Sequence, residues 1–419
     1  MRHSETMLNI ELPEFAPELA LVIACSRWPC GESVGREIRT IMLASTIDWG
    51  QFLDWVRRNR IAPLVYHNLR QSSSRLVPDE VFTWLQREAT QNSRRVLLQI
   101  AEAARITRLL TNAGIQSMII KGPVLSVLAF GDPSLRENHD IDLVIDSGRA
   151  VEADRVIAEA GYRRIMPQLG LTPPRYELYR RWRGQSAYYL DSFDVILELH
   201  WRLTANSLLL PLDAPMFSHI QQIDFAGTSF ATLTNEHLFL YLCVHGSVHM
   251  WFRLKWLADI AALLQQLRPE VIDRIADRAQ MLELDRPLHS ALMLAHKLMA
   301  TPVPSDILTK ACRNHVARKL VIAGRRALNW HGSPGEPAKT VWFNTWLSWH
   351  AFKLKPGLRY QWRELQTQMW SPEDWARVRL PIFLYLPLRP LSWIIRKIKR
   401  VLSDQLRIHL RLGTHRQSD

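Results

Sequence analysis

The stretch "GDPSLRENHDIDLVID", residues 131–146, decides how this chain is read. Its end is an apolar run of strand length, yet two carboxylates, Asp140 and Asp142, stand at its mouth. Side chains at positions i and i+2 of a strand point to one side. Asp140 and Asp142 therefore project together, while Ile141, Leu143 and Ile145 fill the opposite, buried face. Two carboxylates held this close raise each other's pKa unless a cation neutralises them. A hard, oxygen-seeking divalent ion, Mg²⁺ or Mn²⁺, supplies that charge and also grips phosphate oxygens. For an Asp-x-Asp pair alone, the alternative is a solvated strand end.

A metal site calls for a third acid from a neighbouring strand. In "VILELHWRL" (195–203), Glu198, His200 and Arg202 share one face against Leu197, Leu199 and Trp201. Glu198 is the candidate, with Asp194 nearer the turn as a fallback. His200 is placed to orient that carboxylate, and Trp201 reads as core. Upstream, "IQSMIIKG" (115–122) is a short buried strand ending in Lys121-Gly122, and "PVLSVLAFG" (123–131) is a helix started by Pro123. Downstream, "GRAVEADRVIAEAGY" (148–162) is a helix closed by Gly161. "QSAYYLD" and "FDVILELHWRL" are two strands with Asp191-Ser192 at their turn. This order predicts an α/β or α+β core between about residues 114 and 204.

Helical patterns surround that core. In "IDWGQFLDWVRRNRIAPLVYHNLRQ" (47–71), Trp49, Phe52, Leu53 and Val56 fall on one face. A long helix is predicted from Asp79 to Ala113, with Asp79 and Glu80 at its positive end and Gly114 as its stop. "TNEHLFLYLCVHGSVHM" (234–250) and "RLKWLADIAALLQQL" (253–267) begin a second helical region. Four parts result: an N-terminal helical region (1–95), the core (96–232), a helical domain closing a cleft (233–330) and a Trp/Arg-rich region (331–419).

His245 and His249 stand four apart, a spacing that can hold zinc, but "HGSVH" lacks the Glu of the zinc-protease motif. They read as satisfied core histidines, or as a cleft lining with Arg253 facing an acceptor or a nucleobase. Lys255 and Asp259, one turn apart, read as an ion pair.

With 53 Lys+Arg against 40 Asp+Glu, the 419-residue chain carries a formal charge of +13. That favours polyanions: nucleic acid, nucleotide phosphates or an anionic membrane surface. Cys25, Cys30, Cys243 and Cys312 are too scattered for a disulfide framework or a zinc site, and read as free thiols in a reducing cytoplasm. The N-terminus lacks an apolar signal core, and no window reaches the roughly 18 apolar residues of a membrane span. A cytoplasmic protein is expected, with peripheral attachment to the inner membrane surface open. The last region holds Trp330, Trp342, Trp346, Trp349, Trp362, Trp370, Trp375 and Trp393, and "LSWIIRKIKRVLSDQL" (391–406) forms one apolar helical stripe with a basic face. That stripe packs on the protein itself, on an anionic membrane surface, or beside RNA.

"IIKGPVLSVLAFGDPSLRENHDIDLVI" (119–145) resembles the core motif of the uncharacterised bacterial nucleotidyltransferase family within the DNA polymerase beta-like superfamily. Lys121, Gly122, Arg136, Asp140 and Asp142 match it residue by residue. "LELHW" (197–201) resembles the family's later acid-Leu-His-Trp strand, and "LYLCVHGSVHMWFRLKWLADIAALL" (240–264) its helical segment. "IDWGQFLDWVRRNRIAPLVYHNL" and "EDWARVRLP" are more weakly similar. The resemblance implies an α+β fold: a polymerase beta-like core, a small mixed sheet with helices, flanked by N- and C-terminal helical regions.

The same resemblance implies a Mg²⁺-dependent enzyme that moves an NMP from a nucleoside triphosphate to a hydroxyl acceptor and releases pyrophosphate. Asp140, Asp142 and Glu198 would be its catalytic metal ligands. Gly122 would let the backbone approach the phosphates, and Lys121 and Arg136 would pair with phosphate oxygens. Read by themselves, Lys121 is equally a solvated strand-end residue, and Arg136 a loop partner of Asp132 or Glu137. The acceptor is a small molecule, a protein or tRNA. A non-catalytic nucleotide-binding or membrane-surface scaffold is the alternative. A toxin-like tRNA-modifying enzyme is a further one, because Lys-Gly followed by a full helix and loop is closer to the type IV toxin–antitoxin nucleotidyltransferases. Commoner superfamily members carry Gly-Gly or Gly-Ser and a shorter gap.

Overall fold

Helices prepare the ground for the sheet. In the computed structural model, which describes residues 15–167, 173–211, 216–330 and 340–369, the chain opens with α1 (Pro17–Ala24), α2 (Glu32–Ala44), α3 (Trp49–Asn59) and α4 (Ala62–Ser72). Asp48 caps α3 by accepting from the Gln51 N–H, and Arg60 ends it in the left-handed conformation at φ 53°. Phe52 and Val56, from the expected apolar face, are buried. The 34-residue α5 (Asp79–Asn112) holds no Gly or Pro, so nothing in it interrupts the helix. Its start packs Val81 and Leu85 among α1, α3 and α4, and its later turns pack Val96, Ile100, Ile106 and Leu110 against the sheet.

Five strands follow: β1 (Ser117–Ile119), β2 (Asp140–Ile145), β3 (Arg163–Met166), β4 (Gln185–Leu190) and β5 (Val195–His200), in the order β1-β2-β5-β4-β3. Only β2 and β5 run parallel within this sheet; its other neighbours are antiparallel. A parallel neighbour requires a crossover. Between β2 and β5 the chain therefore makes an excursion through α7 and α8 and two further strands, where α6 is Gly122–Phe130, α7 Ala150–Glu159 and α8 Pro173–Trp182. Ile141, Leu143 and Ile145 pack with Leu197, Leu199 and Trp201 on the apolar face. The α+β architecture is the one the resemblance implied.

Two strand features escaped the sequence. In β3, Arg163 and Arg164 pair with Asp191 and Asp154, so this edge strand has charge where apolar alternation would announce it. The hairpin β6 (Ile220–Phe225) and β7 (Thr228–Leu233) turns at Ala226-Gly227, both at positive φ (50° and 72°), and lays β7 beside β1.

The rest is helical among the described residues: α9 (Asn235–Val248), α10 (Leu254–Leu264), α11 (Pro269–Met281), α12 (Asp285–Met299), α13 (Ser305–Arg313), α14 (His315–Leu328), α15 (Val341–Ala351) and α16 (Leu358–Met369). The turn from α9 to α10 holds Met250 and Trp251 at positive φ, 49° and 53°. Trp251 lies so close to α9 that a Cβ on Gly246 would stand 2.2 Å from its ring, and one on Gly324 of α14 would stand 3.2 Å from it. No helix among the described residues is long and apolar enough to cross a membrane. Trp330 and Trp346 pack on the core, whereas Trp342, Trp349 and Trp362 are exposed. The stripe at 391–406, "EDWARVRLP", and Trp370, Trp375 and Trp393 lie outside the described residues.

Candidate active site

Parallel register sets Asp142 of β2 directly beside Glu198 of β5, with His200 one pleat further along. His200 Nε2 is 3.2 Å from Asp142 Oδ1 and 3.4 Å from Glu198 Oε2. Lys121, just past β1, brings its Nζ to 2.8 Å from the same Asp142 oxygen. Burial alone pushes the Asp142 carboxyl up, but Lys121 and His200 outweigh it and hold the group far below the usual carboxylate range. Burial also works against the charges of Lys121 and His200; the facing carboxylates outweigh it, so both hold their protons more firmly than in water. Asp140 differs. Burial, then the like charges of Asp142 and Glu198, push its carboxyl up. Gln185 of β4 donates from Nε2 to Glu198 Oε2 at 3.0 Å.

Asp142, Glu198 and His200 each offer a ligand atom, all within 4.8 Å of one another. Asp142 Oδ1 is shared by Lys121 Nζ and His200 Nε2, and His200 Nε2 lies between the two carboxylates, so positive groups already crowd the place a cation would take. Two carboxylates and, once its proton is displaced, an imidazole make a donor set that fits a divalent cation. Asp140 lines the same cavity but stands outside this tight group. The strand alternation had grouped it with the ligands and set His200 beside them.

The loop before β2 is fixed from two sides. Asn92 of α5 donates from Nδ2 to the carbonyls of Ser134 and Arg136, at 2.8 and 3.1 Å, and its Oδ1 accepts from the Asn138 N–H. Arg136 is buried, with Nε 2.9 and 3.1 Å from the two oxygens of Asp259 and Nη1 on Asn138 Oδ1. Its partner is therefore neither Asp132 nor Glu137. The expected Lys255–Asp259 pair is likewise corrected: Asp259 turns both oxygens to Arg136, whose planar fork suits a carboxylate better than an ammonium. Lys255 turns to the cavity instead, its Nζ 3.5 Å from the Glu137 carbonyl. Burial, joined by the Arg136 charge, pulls the Lys255 ammonium down to about 7.

His245 and His249 also line the cavity. His249 stacks on Trp256 at 5.0 Å and 25°, and His245 meets the same ring edge-on at 5.6 Å. Burial, then the nearby Lys121, hold His245 well below its ordinary value and His249 at about 4, so both are neutral at pH 7. Arg253 follows at the start of α10, over the Phe252 ring. Gly122 opens α6 at φ 62°, next to the Asp140 carbonyl.

Lys121, Arg136, Asp140, Asp142, Glu198, His200, His245, His249, Arg253 and Lys255 border a cavity of about 450 Å³, within the roughly 300–1,000 Å³ of small-molecule sites, whereas Gly122 is buried behind its wall. The sequence reading missed several of its walls. Arg60 enters from α3, and Tyr241 from α9, its phenol pushed up to about 12 by burial. The far wall comes from the segment after β5 and from α16: Asn206 donates to Glu364 Oε2 at 2.9 Å, and Gln368 to Glu364 Oε1 at 3.0 Å, with Tyr360 and Thr367 alongside. Strand alternation could have found Gln185, which pairs in register with His200. Nothing in the local pattern announces Asn206 or Glu364.

The profile of a family described as uncharacterised nucleotidyltransferase matches residues 45–300. No curated protein matches the chain. The matched segment holds Arg60, Asp140, Asp142, Glu198, Lys255 and the three cavity histidines His200, His245 and His249, while Tyr360, Glu364 and Thr367 lie beyond it. Since the match spans more than half of the 419 residues, the chain belongs to the uncharacterised nucleotidyltransferase family.

Proposed function

We propose that the cleft transfers a nucleoside monophosphate from a nucleoside triphosphate to a hydroxyl acceptor, releasing pyrophosphate. One observation carries the reading: the β2–β5 register pairs Asp142 with Glu198 inside a cavity of nucleotide size. Asp142 and Glu198, with His200 and the nearby Asp140, would hold a divalent cation, Mg²⁺ or Mn²⁺. Bound there, the cation supplies positive charge against the α-phosphoryl oxygens and the departing pyrophosphate.

The chain's own groups take the other tasks. Glu198 is the more accessible ligand, its side chain 26% exposed against 3% for Asp142. Gln185 and His200 both contact Oε2, which leaves Oε1 to accept the acceptor's proton as its oxygen attacks the α-phosphorus. Lys121 and the N-terminus of α6 at Gly122 receive phosphate oxygens, because free N–H groups and the helix dipole favour anions there. Arg136 adds charge and, through Asp259 and Asn138, fixes the loop that leads into β2. His249 stacked on Trp256 forms a neutral shelf for the nucleobase or the acceptor, with His245 edge-on to the same ring and the charge of Arg253 beside it. Asn206 and Glu364 face them from the acceptor side. The acceptor is a small molecule, a protein or tRNA; the formal charge of +13 favours a polyanion.

The test is incubation with each of four labelled nucleoside triphosphates and Mg²⁺ or Mn²⁺, offering the chain itself, tRNA and a small-molecule extract as acceptors. Label is expected to move, and Asp142→Asn and Glu198→Gln to slow it by about 10²–10⁴-fold. No transfer from any nucleotide, or transfer undiminished in Asp142→Asn, would defeat the reading.

A further inference from the structure

The cavity has a second charged wall, beside the largely buried carboxylate of Glu137, which both of its cations stabilise. Arg60 comes from the end of α3, and Lys255 from α10, nearly two hundred residues later. Each is close enough to be felt by the other: the Arg60 charge is one of those that depress the Lys255 ammonium. Cations gathered in a partly enclosed space repel, and burial adds a desolvation cost to each. Elsewhere in this cleft such costs are met by carboxylates. Lys121 has Asp142, and Arg136 has Asp259. Among the described residues Lys255 makes no ion pair as close as these; Asp140, Asp259 and Glu137 act on it only from further away. Its one hydrogen bond is to a neutral carbonyl, at the long limit of 3.5 Å, because Asp259 one turn away is committed to Arg136.

A lysine placed like this is relieved by an anion brought in from outside. The anion must carry several charges, since Lys255, Arg60 and Arg253 all border the same space. It must also reach the acids, because Asp140 lies near enough for its charge to act on Lys255. A polyphosphate has this shape: one end at the Asp142–Glu198 pair and the tail along α10. We infer that Lys255 and Arg60 form a clamp for the β- and γ-phosphates of the nucleotide donor, selecting triphosphates over monophosphates. The inference rests on the transfer reading for the direction in which the nucleotide lies. The clamp joins the N-terminal helices to the second helical region across the bound tail, so a triphosphate would also hold these two parts together.

Titration calorimetry on the full chain tests it, with inorganic tripolyphosphate and single inorganic phosphate as probes that carry no base. The wild type should bind tripolyphosphate well above phosphate. Lys255→Met and Arg60→Gln should each weaken tripolyphosphate by about tenfold or more and leave phosphate unchanged, with Lys255→Arg recovering part of the loss. In turnover, the same variants should raise KM for the triphosphate while kcat stays within about threefold. Equal tripolyphosphate affinity in the wild type and both variants overturns the clamp, even where label transfer proceeds. An intact clamp with no label transferred sinks the transfer reading and leaves the clamp standing. If a melting curve shows that Lys255→Met does not fold, Arg60→Gln, on a different helix, decides alone.

Discussion

Lys121 and Arg136 are both cations among acids, and the motif resemblance gives both the same expected role at phosphate oxygens. Burial and geometry separate them. Lys121 makes one ion pair, with Asp142, at the cavity wall, where the proposed function would bring a phosphate oxygen to it. Arg136 is locked by Asp259 and Asn138 and is only 6% exposed. Breaking a buried pair from one side leaves an uncompensated charge. Arg136→Met should therefore lower unfolding stability by about 3–5 kcal/mol, read by urea denaturation. A loss below about 1 kcal/mol would mean that solvent reaches Asp259. The Asp140–Asp142 pair was legible because strand alternation is a local rule. The partner of Arg136 was not: 123 residues separate it from Asp259, and an acid one helical turn from Lys255 suggested a local pair.

Among the elements, the alternation in β2 and β5 identified the acid face of each strand but said nothing about which strands are neighbours. The hairpin of β4 and β5 is local and was readable; the parallel pairing of β2 with β5 depends on a crossover of about fifty residues. The turn from α9 to α10 shows the same limit. "HGSVH" suggested metal spacing, whereas its glycine admits the Trp251 ring. An added methyl at Gly246 cannot be absorbed by a bulky ring also confined by Gly324. Gly246→Ala should cost about 1–3 kcal/mol and displace His245 and His249 from Trp256. A melting curve and the fluorescence of the cleft tryptophan check this; an unchanged midpoint would show that the ring can move aside.

At the scale of the whole molecule, the buried histidines shape the response to acid. His350 is held at about 4 by burial, in spite of its bond to the Ser247 carbonyl, and His249 at about 4 by burial and Lys121. Their unfolded value is 6.5, so between these limits the unfolded chain binds more protons than the folded one. Their contribution is complete above pH 6.5 and is lost as pH falls toward 4. His200 has the opposite sign: its pKa is raised, so its contribution is present below 6.5 and fades as pH rises through the folded value. Melting temperature should fall on acidification from 6.5 to 4, and His350→Gln should flatten that limb. An equally steep limb in the variant would assign it to other groups. The overall helical and mixed-sheet architecture was legible from periodicity and motif together, while the far wall of the cleft was not, being made by contacts distant in the chain.

That far wall bears on how the protein is made. Asn206 and Glu364, which meet across the cleft, are 158 residues apart. At a synthesis rate of about 5–20 residues per second, roughly 8–30 seconds pass between the emergence of one and of the other. By the end of that interval the sheet, its acids and the cation wall have all left the ribosome, but the far wall is only then complete. The nascent chain thus holds its reactive groups facing open solvent before it holds a chamber. Docking of α16, and not assembly of the acids, sets the moment at which a newly made molecule has a closed chamber.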